Sequence, residues 1–209
     1  MKQATAMRMF EAAKAYCEKE HPSEVDWAHS ISHETFTNLS SKQFLSEYCW
    51  VVYVSGFKVS TIEKIFPDLQ TAFKEFELEE LATMKSTKAV LAIFNNEKKA
   101  SSFLKGSKII AKEGFLALKK RLQSAGIDML DELPGIGPIL KFHLAKNIGL
   151  EDVAKPDVWL VRAAGACSST VQELVDFLSK KYEMSRHAVD VILWRYGADQ
   201  GLGLKSTDE

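Results

Sequence analysis

The chain has 209 residues, of which 46% are hydrophobic, and a formal net charge of −1 at pH 7. This composition predicts an ordinary soluble globular protein with one large domain or two small ones. It gives no global sign of nucleic-acid binding, because proteins that bind phosphates usually carry a positive excess. No stretch approaches the roughly 18 to 20 apolar residues that span a bilayer, and the first twenty residues predict an amphipathic helix rather than a signal peptide.

The apolar residues recur mostly at spacings of three and four, which predicts an all-helical fold. Glycines and prolines fall where helices of this length should end. Residues 21–38 are interpreted as a loop. The tail after Gly197 is interpreted as frayed or as lying over the surface. The predicted helices are 4–19, 41–55, 59–66, 68–75, 78–84, 87–94, 97–113, 114–124, 138–148, 158–165, 168–182 and 185–196.

The three cysteines, Cys17, Cys49 and Cys167, lie far apart and are odd in number. They suit a reducing compartment better than a disulfide framework, and they form no CxxC or clustered metal-ligand set. A zinc site or an iron–sulfur cluster is therefore not expected.

A basic run extends from Glu97 to Arg121. It holds eight basic residues against two acidic ones. Such a run is most often the solvated face of a helix, so it does not by itself indicate a nucleic-acid site. The basic residues are Lys98, Lys99, Lys105, Lys108, Lys112, Lys119, Lys120 and Arg121.

The sharpest local feature is the sequence Leu-Pro-Gly-Ile-Gly-Pro at residues 133–138. Gly135 and Gly137 allow a tight turn and a close approach to another surface, and Pro138 suits the first turn of a following helix. Amides at that helix start would form a seat for a phosphate. A plain tight turn between two packed helices explains the pattern equally well.

This hairpin, together with an aspartate at a fixed distance, resembles the helix-hairpin-helix DNA glycosylases, which include endonuclease III, the adenine glycosylase and the alkylpurine glycosylases. In that family an aspartate begins a helix about 18 to 20 residues after a position just past the second glycine. Here Ile139 holds that position and Asp157 follows eighteen residues later, within Lys155-Pro156-Asp157-Val158-Trp159. Residues 54–67 and 94–99 are similar to further family segments, so the resemblance covers about residues 40 to 165.

The resemblance implies an all-α, two-lobed helix-hairpin-helix glycosylase fold with the active site in the cleft between the lobes. Residues 1–209 would form one unit, with a helical lobe at about 41–130 and a second lobe from 1–40 plus 131–209. An aspartate before an apolar helix is also a good N-cap, which is the ordinary interpretation. The family implies that Asp157 is in addition the catalytic carboxylate, which stabilises positive charge on the sugar or orients a water.

The resemblance also implies the residues that meet the DNA. The extruded base would be held against aromatic faces, with Trp159, Trp50 and Tyr53 as candidates, although core packing is the ordinary role of such rings. Phe57 lies where relatives present a wedge residue that fills the gap in the base stack. The expected DNA-binding residues are Gly135, Ile136, Gly137, Ile139, Lys141 and Phe57.

One departure from the family bears on the reaction. Ile139 occupies the slot where bifunctional members carry the Schiff-base lysine, so a monofunctional enzyme is expected unless Lys141 or Lys146 replaces it. The family implies at most a sodium or potassium ion on the carbonyls of Asp131, Leu133 and Ile136, and no other cofactor.

The sequence therefore predicts a monofunctional DNA glycosylase of base-excision repair, with an alkylated purine slightly favoured as its substrate. The partner would be duplex DNA with a damaged base, and the enzyme a monomer in the cytoplasm, at the nucleoid in a bacterium or in the nucleus of a eukaryote. Three alternatives stay open: a non-catalytic DNA-binding module, a glycosylase for oxidised purines with a non-standard lyase lysine, and a helical interaction protein with an incidental turn.

Overall fold

The computed structural model describes residues 1–203, which form α-helices and short 3-10 helices with no strand among them. The all-α prediction is therefore confirmed. The α-helices are α1 (Gln3–Glu20), α2 (Pro22–Ser30), α3 (His33–Thr37), α4 (Ser41–Val54), α5 (Val59–Ala72), α6 (Leu78–Thr83), α7 (Lys88–Ile93), α8 (Glu97–Glu113), α9 (Phe115–Ala125), α10 (Leu140–Asn147), α11 (Val158–Ala166), α12 (Val171–Tyr182) and α13 (Arg186–Gln200). The 3-10 helices are Lys74–Phe76, Ile127–Glu132 and Gly201–Gly203. None of the helices within 1–203 has the length and apolar content needed to cross a bilayer.

Local side-chain chemistry fixes where several helices begin. Ser40 and Gln43 form a reciprocal capping box at the start of α4, and Thr170 and Glu173 form another at the start of α12. Each box satisfies amide groups that the first helical turn leaves without an internal acceptor. These starts lie within three residues of the predicted ones.

Three predictions about helix boundaries are wrong. Residues 21–38 are not a loop but contain α2 and α3, in which Val25, Ala28 and Phe36 are buried. Helix α5 continues through Pro67, because Ile62 and Leu69 lie two turns apart on its buried side and hold the helix in place. Helix α13 extends to Gln200 rather than ending at 196, and the rest of the predicted frayed tail, residues 204–209, lies outside the described residues.

The chain forms two compact units, and each has its own core. The first unit contains residues 1–32 together with the described residues from 152 onward, and its core includes Phe10, Leu160 and Ile192. The second unit contains residues 33–151, and its core holds a cluster of aromatic rings around Phe103, with Phe73 4.6 Å and Tyr48 5.3 Å away between ring centroids.

The boundary between the units differs from the predicted lobes. Residues 131–151 belong with the helical unit, whereas the sequence placed them with the termini. The physical reason is local packing: Tyr48 of α4 donates a hydrogen bond to the carbonyl of Pro134, and Asn147 of α10 donates one to Glu47 of α4 at 2.9 Å.

Candidate active site and nucleic-acid interface

Asp157 is the N-cap of α11, as its position before an apolar helix predicts. Its Oδ1 accepts hydrogen bonds from the amides of Trp159 at 2.9 Å and Leu160 at 3.2 Å. Its Oδ2 accepts no hydrogen bond from residues 1–203 and lies 3.9 Å from the Lys155 ammonium. The carboxylate is therefore held through hydrogen bonds to one oxygen, while the other lies near the Lys155 ammonium.

The loop before Asp157 is fixed by α13. The Lys155 amide donates to the carboxylate of Asp190, which is only 2% exposed, and the Asp157 amide donates to the Lys155 carbonyl at 2.7 Å. The Asp157 and Lys155 side chains are 13% and 18% exposed. The protein therefore screens most of the carboxylate and of the ammonium from water.

The hairpin at residues 133–137 is a tight turn closed by the Ile136 amide, which donates to the Leu133 carbonyl at 2.9 Å. Gly135 has a φ of +87°, and a Cβ there would lie 3.1 Å from the Cβ of Ser102 on α8. The turn therefore needs glycine at 135 both for its backbone conformation and for its close packing on α8.

The start of α10 presents free amide groups. The helix begins at Leu140, two residues later than expected, after a first turn in which the Lys141 amide donates to the Gly137 carbonyl at 3.0 Å. Within the described chain, the amides of Gly137, Ile139 and Leu140 donate to no protein acceptor. Unpaired amides at a helix N-terminus are what a phosphate seat requires, and the seat itself stays a prediction.

The Lys141 side chain forms ion pairs that the sequence did not predict. Its ammonium lies 2.7 Å from an oxygen of Asp128 and 2.9 Å from one of Asp131, and the side chain is 15% exposed. It thus ties α10 to the 3-10 helix before the hairpin. Lys141 therefore supports the hairpin through two ion pairs, and its contact with DNA stays a prediction.

Phe57 lies in the turn between α4 and α5 and is 42% exposed. Its ring meets Phe94 edge to face, with 5.0 Å between centroids, and the Lys99 ammonium lies 5.2 Å from the ring centroid. Lys99 also donates to the carbonyls of Val52 at 2.6 Å and Ser55 at 2.7 Å, so it closes the C-terminus of α4. Burial lowers the pKa of Lys99. The Phe57 turn is therefore anchored on α8.

Comparison with solved structures identifies the architecture. An 8-oxoguanine glycosylase/lyase of Methanocaldococcus jannaschii in complex with a 15-mer DNA containing 8-oxoguanine matches with a TM-score of 0.63 and 14% identity, over 95% of this chain and 100% of that one. The 8-oxoguanine DNA glycosylase of the same organism matches at 0.65 and 15% identity, over 93% and 95% of the two chains. That of Thermotoga maritima matches at 0.62 and 15% identity, over 94% and 98%. The chain therefore has the same fold as these three DNA glycosylases. No family model matches the sequence, and no curated protein sequence matches it.

Of the three aromatic residues that the sequence suggested for the base pocket of a glycosylase, Tyr53 is excluded. Its ring is fully buried between Phe73 and Phe94, so it has no face for a base to stack on. Trp50 is half-buried with its ring edge to face on Phe66. Trp159 is half-buried against α13, and both rings thus keep some accessible surface.

Trp159 is positioned by the glycine opposite to it. A Cβ on Gly197 of α13 would lie 2.9 Å from the Trp159 ring, so the absence of a side chain at 197 makes room for the indole. The Arg162 guanidinium lies 4.9 Å from the same ring's centroid. Trp159 thus lies two residues after Asp157 with its ring packed on α13, and its role in a base pocket stays a prediction.

The possible ligands for a metal ion are backbone carbonyls of the hairpin rather than a cluster of side chains within residues 1–203. Residues 1–203 contain no group of three or more histidine, cysteine or acidic side chains that could hold a metal ion. The Leu133 carbonyl already accepts the Ile136 amide, and a carbonyl oxygen has a second lone pair that a cation can use. A monovalent ion on the carbonyls of Asp131, Leu133 and Ile136 stays a prediction.

Sequence reasoning missed two residues that shape these sites. The Tyr48 hydroxyl links the hairpin to α8, because it donates to the carbonyls of Pro134 and Ser102. Glu47 is held by Asn147 between α4 and α10, and burial raises the pKa of its carboxyl group. Nothing in the local pattern indicated either role, because their partners lie 54 to 100 residues away in the chain.

Proposed function

We propose that the protein is a monofunctional DNA glycosylase that hydrolyses the N-glycosidic bond of a damaged base in duplex DNA, with Asp157 as its catalytic carboxylate. The observation that carries this proposal is the asymmetry of Asp157. Two backbone amides hold Oδ1, while Oδ2 accepts no hydrogen bond from the described chain and lies in a poorly hydrated environment. An N-cap alone needs only one of these oxygens.

The chemistry follows from that arrangement. As the bond between sugar and base breaks, positive charge develops on the deoxyribose, and a carboxylate fixed in advance stabilises that charge without reorganising. The same oxygen can orient a water for attack at C1′ and accept its proton, while the bonding electrons leave with the base. The products are a free base and an abasic site in an intact strand.

Binding of DNA would use the hairpin. The free amides of Gly137, Ile139 and Leu140 suit a phosphate oxygen, and phosphate contacts of this kind position a protein on the duplex without reading its sequence. The structure of the Methanocaldococcus jannaschii enzyme in complex with DNA supports this partner. A sodium or potassium ion on the hairpin carbonyls would assist by adding positive charge beside the phosphate.

Two substrate classes are proposed for the test. The sequence argument slightly favours an alkylated purine, since an electron-poor base leaves readily and needs no lysine nucleophile. The three solved structures with the same fold are 8-oxoguanine glycosylases, which supports an oxidised purine as the second candidate.

The test is a cleavage assay on duplexes that carry 3-methyladenine-type, 8-oxoguanine, uracil and hypoxanthine lesions, scored with and without alkali. Asp157→Asn is the matched variant, because asparagine caps a helix as well as aspartate does and the fold should survive. We expect strand breaks only after alkali, and a rate lowered about a hundredfold or more in the variant. Binding of DNA without cleavage of any lesion would instead favour the non-catalytic DNA-binding module.

A further inference from the structure

The basic run of the sequence separates into two groups in the structure. Lys99 donates to a backbone carbonyl near the end of α4. Lys119 donates to the carbonyls of Thr37 at 2.7 Å and Leu39 at 3.1 Å. Arg121 pairs with two glutamates. These three cations are occupied within the fold. The remaining five are exposed and form no ion pair with any described residue: Lys98, Lys105, Lys108, Lys112 and Lys120.

Two sets of contacts define which side of α8 faces the proposed DNA-binding elements. Ser102 packs against Gly135 of the hairpin, and Lys99 lies over Phe57 and binds the end of α4. Residues 99 and 102 are three apart, so they lie on neighbouring positions of one helix face. The hairpin and the Phe57 turn are therefore anchored side by side on α8.

The helical repeat then places the free lysines. At 100° per residue, Lys98 and Lys105 project within about 60° of Ser102, one on each side of it along the helix axis. Their Cα positions are separated by about 10 Å along that axis, given a rise of 1.5 Å per residue. Lys108 projects about 120° away from Ser102 and about 60° beyond Lys105, so it lies farther from the hairpin than either of these two lysines.

We propose that Lys98 and Lys105 contact the DNA backbone on either side of the hairpin, extending its phosphate seat into a basic track along α8. The proposal rests on the proposed function, since it takes duplex DNA as the ligand. The two ammonium groups are exposed and uncompensated, which is what a phosphate contact requires and what the neutralised Lys141 lacks.

Contacts of this kind have a measurable signature. A lysine that neutralises a phosphate releases a condensed counterion, and each such contact contributes about 0.9 to the slope of log affinity against log salt concentration. A phosphate contact strengthens binding to every DNA sequence equally and does not distinguish damaged from undamaged DNA. An undamaged duplex is therefore the proper probe, because no turnover disturbs the equilibrium.

The experiment measures binding to an undamaged duplex across a range of KCl concentrations for the wild type and two double variants. Lys98→Gln with Lys105→Gln tests the track, and Lys108→Gln with Lys120→Gln is the control with the same loss of net charge. We expect the first variant to lower the slope by about 1.8 and the control to lower it by less than about 0.5. Over a fourfold rise in salt, the wild type should then lose about tenfold more affinity than the first variant.

The outcomes separate this inference from the proposed function. Equal slopes in the two double variants would overturn the track, even if the wild type binds DNA and excises a base. A wild-type protein with no salt-dependent affinity for any duplex would overturn the proposed function, and the track with it. Far-UV circular dichroism of both variants checks that the surface substitutions leave the helices intact.

Discussion

Replacement of Gly135 by alanine tests whether the hairpin is built as described. The φ of +87° is a conformation that alanine adopts only under strain, at a cost of about 1 to 3 kcal/mol. The new Cβ would also lie 3.1 Å from Ser102 and 3.3 Å from Val52, closer than the 3.5 to 4.0 Å at which carbon atoms pack best. With this crowding added, we expect Gly135→Ala to lower the free energy of unfolding by about 2 to 4 kcal/mol.

Gly137→Ala is the matched control, two residues away in the same turn. Its φ is not in the left-handed region, and no atom lies within 4 Å of where its Cβ would be. Its stability should therefore stay within about 0.5 kcal/mol of the wild type. Urea denaturation followed by circular dichroism measures both variants, and a Gly135→Ala protein as stable as Gly137→Ala would refute the reasoning.

The same pair of variants separates stability from DNA binding. A methyl group at 137 stands beside the free amide of that residue, in the space where a phosphate is proposed to sit. Gly137→Ala should thus bind duplex DNA more weakly than the wild type although its fold is unchanged. Unaltered binding at low salt would contradict a close approach of DNA to the hairpin backbone.

Two further predictions concern the Glu47 carboxyl group, which lies between α4 and α10, and the lysine slot. Burial raises the pKa of Glu47 above its ordinary 4.5, so above that pH the folded state binds more protons than the unfolded chain. The free energy of unfolding should therefore fall as pH rises from 4.5 through the raised pKa. Glu47→Gln should remove this fall in urea titrations at several pH values. Ile139 is 43% exposed, so Ile139→Lys should place an amine in the slot of the bifunctional enzymes. Borohydride should then trap the variant on lesion DNA and leave the wild type free, whereas trapping of the wild type would contradict a monofunctional enzyme.

Much of the fold and part of the site were predictable because the information is local. Apolar spacing located α1, α4 and α8 to within a residue at each end, since a helix must bury one face. The cap role of Asp157 follows from its own neighbours, a proline before it and an apolar helix after it. A Gly-x-Gly pattern such as that of the hairpin predicts a tight turn from local sequence alone.

The remaining differences share a different cause, which is that contacts formed in the folded chain override the preference of a single residue. Pro67 is a helix breaker in isolation, but burial of Ile62 and Leu69 carries α5 past it. At Lys141 the sequence indicates a basic residue at a helix start, and the structure adds ion pairs with Asp128 and Asp131 that the sequence did not predict. Neither outcome follows from the helix-breaking or basic character of the residue itself.

The phosphate seat proposed at the hairpin depends on more than its short motif. A Gly-x-Gly turn alone is compatible with a simple helix connection, and what distinguishes a phosphate seat is support that holds its amides outward. Tyr48 supplies that support by donating to Pro134, and Gly106 allows it, because a Cβ at 106 would collide with the Tyr48 ring. Gly135 completes the contact by packing on Ser102. The presentation of the hairpin therefore depends on residues 48, 102 and 106, so substitutions far from the motif in sequence should weaken DNA binding without altering any group that touches DNA.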